Sequence, residues 1–263
     1  MEHFIWNTDP SIFTFGALQL RWYGVLFVGS FFVGLMIAKW IYKREAKDPS
    51  VLDNLLVYAL VGAVVGARLA HCFFYEPDFY LSHPLEILKV WEGGLASHGG
   101  LAGVLVSFYL FSKRYNTPYI WLLSRIAIPG ALTAMFVRIG NFFNSEILGL
   151  PSEAPWAIIF ARVDMIPRHP VQLYEAISYF IIFLILLGIY RKVSPLFATK
   201  ILPGIFLVLL FTARFFLEYT KTRQEDYIIN LPFTAGQMLS IPYIIAGAVW
   251  IVWALRSSGE KSA

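Results

Sequence analysis

The sequence predicts an all-α membrane protein, a bundle of seven transmembrane helices in one polytopic domain over residues 1–263. Composition is the first reason, since 58% of the residues are hydrophobic, 17% are aromatic and only 14% are charged. A soluble domain of this length would carry about a quarter charged residues. The second reason is that the apolar segments are apolar all round and not on one face only. Both observations place the chain in a lipid bilayer.

Seven apolar segments come close to the roughly 20 residues that a spanning helix requires. They lie at about 21–41, 53–74, 94–112, 118–138, 172–190, 201–218 and 235–254. The chain contains no internal repeat, no low-complexity run and no linker long enough to separate a second domain. We therefore expect one continuous bundle, followed by a short polar tail.

Lysine and arginine are distributed unevenly between the connecting segments. Basic residues accompany the ends of the first, third, fifth and seventh segments: Lys39, Lys43, Arg44, Lys47, Lys113, Arg114, Arg191, Lys192, Lys200, Arg256 and Lys261. The positive-inside rule places these connections in the cytoplasm, with the N-terminus outside and the C-terminus inside. The net charge of +4 then reflects this loop bias, and we expect no nucleic-acid partner.

The opposite connections, 75–93, 139–171 and 219–234, are longer and rich in proline, aromatic and acidic residues. Loops longer than about 12–15 residues are usually functional or disordered, and these are too aromatic for disorder. The function is therefore expected on the outer face. Arg125 lies on the cytoplasmic side in this topology, and we expect its side chain to extend toward the membrane surface.

A glycine-rich segment around His98 opens the third span. Its small residues are Gly93, Gly94, Gly99, Gly100 and Gly103. Glycine leaves the backbone uncovered, so a ligand or another helix can approach closely, and small residues at intervals of three or four favour tight helix packing. Histidine titrates near neutrality, which suits a general base. A hydrogen-bonded histidine at a helix interface is the alternative.

Arg138 follows about twenty mostly apolar residues. A charged side chain near membrane depth costs roughly 2.5–3.5 kcal/mol on insertion scales and therefore indicates function. Asn141 shares its helix face if the helix continues, whereas Gly140 and Asn144 indicate a break into a loop. An arginine here can hold a phosphate by bidentate hydrogen bonds. An internal salt bridge with Glu146 is the alternative.

Arg214 and Glu218 stand four residues apart near the end of the sixth span, so they share a helix face. Two arginines and a histidine on the outer side can cradle an anionic headgroup, and a structural ion pair between Arg214 and Glu218 is the alternative. Arg68, in the second span, can reach a lipid phosphate or the carboxylate of a neighbouring helix. Tyr23 is an interfacial anchor on position alone.

Other classes of site find no support. The chain has no His-Glu-x-x-His motif, no Cys/His cluster, no phosphate-binding Gly-Lys-Ser/Thr loop and no Gly-x-Ser-x-Gly elbow. We therefore expect neither a metal nor a cofactor, and we interpret Cys72 as a small buried hydrophobe. Two classes remain: a membrane enzyme or binder for something acidic and lipidic, and a non-catalytic receptor or anion transporter with seven spans.

The motifs, taken together and in order, resemble those of the bacterial prolipoprotein diacylglyceryl transferases. They lie at 21–24, 91–94, 98–100, 138–146 with Gly149, 169–175, 214–218 and 236–237. The resemblance implies a seven-span enzyme of the bacterial inner membrane, with the N-terminus and the active site toward the periplasm. Such an enzyme moves the diacylglyceryl group of phosphatidylglycerol onto the cysteine thiol of a signal-peptide lipobox, forming a thioether and releasing glycerol phosphate.

The resemblance also implies roles for single residues. Arg138 would bind the phosphate of phosphatidylglycerol, Arg214 would share that task or stabilise the departing phosphate, and His98 would be the candidate base for the substrate thiol. The groups that orient them would be Asn141, Glu146, Glu218 and Tyr23. Further substrate-binding positions would be Gly99, His169 and Arg68.

The chain departs from the usual family pattern at four positions. Ala67 and Val137 each precede an arginine where the family usually has glycine, and Leu210 stands where some members have tyrosine. Ser124 occupies a position where many members carry an acid. We expect altered packing in the fourth span and no tyrosine role at 210, with the charged set intact.

Overall fold

The structure is a computed structural model that describes residues 2–15, 18–90, 93–222 and 233–259. Most of these residues are helical. The α-helices in this part of the chain are α1 (Trp22–Arg44), α2 (Leu52–Phe74), α3 (Pro77–Ser82), α4 (Ser97–Arg114), α5 (Tyr119–Phe143), α6 (Val171–Lys192), α7 (Pro195–Leu217) and α8 (Ala235–Gly259).

Among the described residues, six helical segments are long and apolar enough to cross a membrane. They are Trp22–Arg44, Pro49–Phe74, Tyr119–Asn144, Val171–Lys192, Pro195–Thr220 and Ala235–Ser257. The prediction of a helical protein with several candidate membrane spans is therefore confirmed. The expected third span, 94–112, corresponds to α4, whose serines, His98 and terminal Lys113 and Arg114 lower its mean hydropathy. A seventh span and the orientation of the termini stay predictions.

Helix α5 continues beyond the expected end of the fourth span. Gly140 is helical, and the chain leaves the helix only after Phe143. Ser145 then adopts a left-handed backbone conformation with φ 54°. Of the two alternatives at this motif, the continuing helix is correct as far as Phe143, so Arg138 and Asn141 do share one face.

Two small sheets, which the sequence did not predict, lie in the segment before α1 and in the connection between α5 and α6. Their strands are β1 (Phe4–Trp6), β2 (Ser11–Phe15), β3 (Leu18–Arg21), β4 (Ile158–Phe160) and β5 (Pro167–Arg168). Strand β4 pairs in parallel with β1 and antiparallel with β5, while β2 and β3 form a hairpin. Phe142 packs with Ile158 and Phe160 in a buried cluster that Trp6 also contacts. The sheet thus holds the end of α5.

The chain divides into two compact units, and α1 and α5 contribute to both. Unit 1 comprises residues 1–37 and 124–263, and unit 2 comprises residues 38–123. In unit 1, α7 and α8 meet at Gly204 and Gly247, where a Cβ on either glycine would lie 2.9 Å from the carbonyl oxygen of the other. Close helix contact at glycine therefore occurs in unit 1.

In unit 2, α2 and α4 pack backbone to backbone. A Cβ on Gly66 would lie 2.7 Å from the Cα of Gly103 and would clash with the carbonyl oxygen of Gly99. A Cβ on Gly99 would in turn clash with Ala70. The prediction that small residues at this segment permit tight helix packing is confirmed, and Gly99 has a packing role.

Arg125 does not extend to the membrane surface, so that expectation was wrong. Its side chain is buried, at 1% exposure. Nη2 donates to the carbonyl oxygen of Pro195 at 2.9 Å, and Nη1 donates to Ser124 Oγ at 2.8 Å. The first carbonyl of α7 and the neighbouring hydroxyl thus satisfy the guanidinium inside unit 1, where the sequence had suggested water.

Candidate functional site

Five charged residues of unit 1, three of them predicted site residues, lie at one end of its helices. Arg138 lies near the end of α5, Glu175 near the start of α6 and Arg214 in the last turn of α7. Glu218 and Lys221 follow within and after the 3₁₀ turn Glu218–Thr220. We refer to these five residues as the charge cluster.

Glu175 is the most deeply buried member of the charge cluster, with a side chain that is 0% exposed. Its Oε2 lies 3.1 Å from Arg138 Nε, and its Oε1 accepts a hydrogen bond from Lys221 Nζ at 2.9 Å. Lys221 Nζ also lies 3.3 Å from Glu218 Oε2. A buried carboxylate is tolerated only when it is paired, and here two cations from other segments of the chain flank it.

Arg138 reaches Glu146 through an amide. Nη1 of Arg138 donates to Asn141 Oδ1 at 3.3 Å, and Asn141 Nδ2 donates to Glu146 Oε1 at 2.7 Å. Gln172 Nε2 donates to the backbone oxygen of Glu146 at 2.7 Å, which fixes the loop after α5. Within the described residues Arg138 pairs with Glu175, so the alternative of a direct salt bridge to Glu146 is not formed.

Arg214, a further member of the charge cluster, is half-buried. Its Nε is buried and has no hydrogen-bond partner among the described residues. Tyr179, one turn after Glu175, lies within electrostatic range of both Arg214 and Arg138. Glu218 pairs with Lys221, and in the described part of the chain Arg214 and Glu218 form no ion pair. The alternative of a structural ion pair between Arg214 and Glu218 is therefore not found among the described residues.

Two glycines allow other elements to approach these groups. A Cβ on Gly140 would lie 2.7 Å from Cδ2 of Tyr23, so the tyrosine ring packs directly on the backbone that follows Arg138. A Cβ on Gly236 would lie 2.6 Å from Oε1 of Glu218. The start of α8 therefore meets the Glu218 carboxylate, an arrangement that the helix dipole favours.

Lys221 reaches Glu175 because two segments pair. Leu150 N donates to the carbonyl oxygen of Thr220 at 2.8 Å, and Gly149 and Lys221 form an antiparallel bridge. A Cβ on Gly149 would lie 2.8 Å from Cβ of His169. Glycine at 149 is therefore needed for the close approach of the segment around His169 to the segment that pairs with Lys221.

His169 lies in a group of polar aromatic side chains. Trp156 Nε1 donates to the Tyr174 hydroxyl at 2.7 Å, and that hydroxyl lies 3.2 Å from His169 Nδ1. The hydroxyl accepts from Trp156, and the tautomer of His169 sets which partner donates in its hydrogen bond with Nδ1. His169 is thus fixed in position, and its predicted contact with substrate stays a prediction.

The loop before His169 contains an ion pair at the surface. Arg168 Nη2 donates to Asp164 Oδ2 at 2.6 Å, and this hydrogen bond holds the pKa of Asp164 below its ordinary value. A lowered carboxyl pKa stabilises the fold above the unfolded-state value and loses that effect as pH falls through the folded-state pKa. The pair therefore supports the loop at neutral pH.

In unit 2, Arg68 is 4% exposed and donates to backbone carbonyls with all three guanidinium nitrogens. The acceptors are the oxygens of Ile87 at 3.0 Å, Glu86 at 2.6 Å and Gly93 at 2.7 Å. These contacts hold the connection that leads to α4. They give Arg68 a structural role. Its partners here are backbone oxygens, whereas the sequence suggested a lipid phosphate or the carboxylate of a neighbouring helix. A contact between Arg68 and lipid stays a prediction.

Replacing Gly94 by alanine is expected to destabilise this connection. Gly94 has φ +65°, and a Cβ there would lie 2.6 Å from Nε2 of His71 and 2.7 Å from Nη1 of Arg68. A left-handed alanine costs about 1 kcal/mol before any clash. The thermal midpoint of the purified variant should fall below that of wild type and of Gly130→Ala, where a Cβ has no atom within 4 Å. An unchanged midpoint would show that the Arg68 contacts are dispensable.

His98 is the second residue of α4 and is exposed in unit 2. Among the described residues no hydrogen-bond partner contacts its imidazole, so the alternative of a hydrogen-bonded interface histidine is not what is found there. Trp91 and Glu92, which belong to the motif before it, lie outside the described residues. The role of His98 as a base stays a prediction.

Sequence reasoning did not single out Glu175 and Lys221. Both had detectable signals, because Glu175 is an acid inside an apolar span and Lys221 follows Glu218 by three residues. The structure adds the pairing of these two residues with each other. Among the described residues no three His, Cys, Asp or Glu side chains are grouped so as to hold a metal ion.

Apolar helices long enough to span a membrane, with paired cations and carboxylates at one end, are typical of a multi-pass membrane protein, in which such charges indicate function. A family model described as prolipoprotein diacylglyceryl transferase matches residues 10–253. The chain belongs to the prolipoprotein diacylglyceryl transferase family. The resemblance inferred from the motifs is thereby confirmed, as is the prediction of a transferase of lipoprotein biosynthesis.

Individual relatives agree with the family model. The phosphatidylglycerol–prolipoprotein diacylglyceryl transferase of Tolumonas auensis is 48% identical over 98% of this chain and 98% of its own length. The protein of that name from Chloroherpeton thalassium is 48% identical over 98% of this chain and 96% of its own. That of Bacteroides fragilis is 37% identical over 97% of each chain. The similarity thus extends over nearly the whole chain.

Proposed function

We propose that this chain transfers the sn-1,2-diacylglyceryl group of phosphatidylglycerol to the lipobox cysteine of prolipoproteins, the first step of lipoprotein maturation. The thiolate sulfur attacks the glyceryl carbon that bears the phosphate. A carbon–sulfur bond forms, the carbon–oxygen bond breaks, and glycerol phosphate leaves with the electron pair of the broken bond. The thiol proton passes to a base, because the thiolate is the nucleophile.

The charge cluster is the observation that carries this proposal. Its three cations, Arg138, Arg214 and Lys221, face two carboxylates, Glu175 and Glu218, so the five side chains have one positive charge in excess. A phosphodiester such as phosphatidylglycerol carries one negative charge. Arg214 is half-buried and forms no ion pair with Glu218 in the described part of the chain, so its guanidinium charge is available to such a group. The cluster therefore suits a singly charged lipid headgroup.

The same cations favour the reaction itself. Breaking the carbon–oxygen bond leaves a phosphate monoester with more negative charge than the starting diester. Preorganised arginines stabilise that developing charge more than they stabilise the bound substrate, which lowers the barrier. Arg138 would hold the phosphate throughout, and Arg214 would meet the charge on the departing group. Asn141, Glu146, Glu218 and Tyr23 would orient these cations.

We further propose one domain of seven spans in the bacterial inner membrane, with α4 as the third span. The last turns of α1, α4, α6 and α8 carry lysine or arginine, which supports cytoplasmic ends for these helices. The charge cluster lies at the start of α6 and next to the start of α8, opposite the basic ends of both. The N-terminus and the site would then face the periplasm, where prolipoprotein signal peptides present their lipobox.

The reaction is tested by incubating the purified chain with phosphatidylglycerol vesicles and a synthetic lipobox peptide. We expect the peptide mass to increase by one diacylglyceryl group. A peptide with serine in place of the cysteine should stay unmodified, as should the cysteine peptide with vesicles of phosphatidylcholine alone. Absence of the adduct with folded protein and both substrates would contradict the proposed function.

His98→Gln tests the base. If His98 removes the thiol proton, the rate should fall by about 10²-fold or more, the usual contribution of a general base. Because the base acts on the proton of the substrate thiol, the variant should also respond to pH differently from wild type. Wild-type rate and pH profile in His98→Gln would reject His98 as the base and leave the transferase assignment intact.

A further inference from the structure

We infer that Glu175 is a positioning residue for the transfer: it fixes Arg138 and Lys221 so that both cations act on the lipid phosphate. This inference rests on the proposed function and names a residue that the motif comparison did not assign to the site. It starts from burial. The Glu175 side chain is 0% exposed, whereas the Arg138 side chain keeps 16% exposure. Arg138 is thus accessible to a ligand and Glu175 is not.

The geometry explains how a buried carboxylate acts on a lipid it cannot touch. Oε2 of Glu175 lies 3.1 Å from Arg138 Nε, and Asn141 accepts from Nη1 of the same guanidinium at 3.3 Å. The ion pair at Nε and the hydrogen bond at Nη1 restrain the planar guanidinium at two of its three nitrogens, which limits its rotation. The N–H groups on its third nitrogen then lie in a fixed plane.

The other oxygen of Glu175 restrains a second cation. Lys221 Nζ lies 2.9 Å from Oε1 of Glu175 and 3.3 Å from Oε2 of Glu218, and its side chain is 9% exposed. Lysine has a flexible stem and a point charge, so it needs such contacts to hold one position. One carboxylate therefore sets the separation between a cation on α5 and a cation after α7.

The net charge of the cluster distinguishes a positioning role for Glu175 from a role in binding the anionic lipid. Removing the negative charge of Glu175 adds a positive charge to the cluster, which cannot weaken its attraction for an anionic lipid. Loss of alignment, in contrast, affects the transition state, because displacement by about 1 Å can cost 10²-fold in rate. Positioning therefore predicts a lower kcat with a KM for phosphatidylglycerol that does not rise.

The test compares Glu175→Gln and Glu175→Asp with wild type and with Glu153→Gln, an exposed glutamate of unit 1. For Glu175→Gln we expect kcat about 100-fold lower without an increase in KM. Glu175→Asp keeps the charge but shortens the side chain, so its kcat should also fall. Glu153→Gln should match wild type. Wild-type kcat in either Glu175 variant, or a raised KM with unchanged kcat, would overturn the inference.

A double variant covers the case in which Glu175→Gln does not fold. Glu175→Gln with Lys221→Met removes one charge of each sign and restores the balance of the cluster. We expect this variant to fold with the thermal midpoint of wild type and to have a kcat below that of Lys221→Met alone, because Arg138 has also lost Glu175. A kcat equal to that of Lys221→Met, or failure to fold even with balanced charge, would contradict positioning. Absence of transfer by wild type itself would count against the proposed function, so the two failures are distinguishable.

Discussion

Arg138→Ala is expected to lower kcat/KM for diacylglyceryl transfer by about 10³-fold, the upper range for losing one preorganised donor to a developing negative charge. The substitution removes the Arg138 side chain, which is 16% exposed and therefore accessible to a ligand, whereas its partner Glu175 is 0% exposed. Its loss also leaves Glu175 with Lys221 as its remaining cation in the charge cluster. The site then loses both a phosphate donor and the net positive charge.

Arg138→Lys separates charge from geometry. Lysine keeps the positive charge but cannot contact Glu175 and Asn141 with two nitrogens of one rigid plane. We expect it to recover little of the lost rate, although more of the phosphatidylglycerol affinity. The matched control is Arg162→Ala, an exposed arginine of the same unit, which should transfer at the wild-type rate. Activity of Arg138→Ala comparable with that control would remove Arg138 from the mechanism.

Gly66→Ala is expected to cost at least about 3 kcal/mol of stability, a large effect for one methyl group. The added Cβ would clash with the carbonyl oxygen of Gly99 and would lie 2.7 Å from the Cα of Gly103. Both contacts are with backbone, so no side chain can rotate away. Helices α2 and α4 would have to separate along their whole contact, because tight packing between membrane helices depends on such small residues.

Gly188→Ala is the matched control for that substitution. Position 188 lies on α6, where a Cβ would have no atom within 4 Å. Alanine there should be neutral or should gain up to about 1 kcal/mol, as expected for replacing a helical glycine. The measurement compares the thermal midpoints of the two purified variants in the same detergent. Equal midpoints would show that α2 and α4 do not need backbone contact.

The bundle could be predicted because its signals are local. Apolar length marks the spans, and basic residues mark helix ends, so six of the seven expected segments coincide with helices apolar enough to span a membrane. The short strands were missed because each has five residues or fewer, as in β2 over Ser11–Phe15. Segments of that length carry too little alternation for a pattern to be recognised.

The partners within the site could not be predicted for a different reason. Glu175 and Lys221 are 46 residues apart, and their contact depends on how the segments after α5 and after α7 pair with each other. Arg68 is a clearer example, since its acceptors are backbone oxygens 18 to 25 residues away. A sequence pattern identifies polar side chains, but every residue has a backbone carbonyl, so the pattern does not show which carbonyl will accept a hydrogen bond. Arginine within a span therefore indicated a buried partner correctly, but not its identity.

The most direct test of the account follows both halves of phosphatidylglycerol in one reaction. The lipid carries one label in its diacylglyceryl group and another in its headgroup glycerol, and wild type is compared with Arg138→Ala. We predict that labelled thioether peptide and labelled glycerol phosphate accumulate in equal amounts with wild type, and that both disappear together in the variant. Thioether formation without glycerol phosphate, or full release of both products by Arg138→Ala, would contradict transfer at the charge cluster.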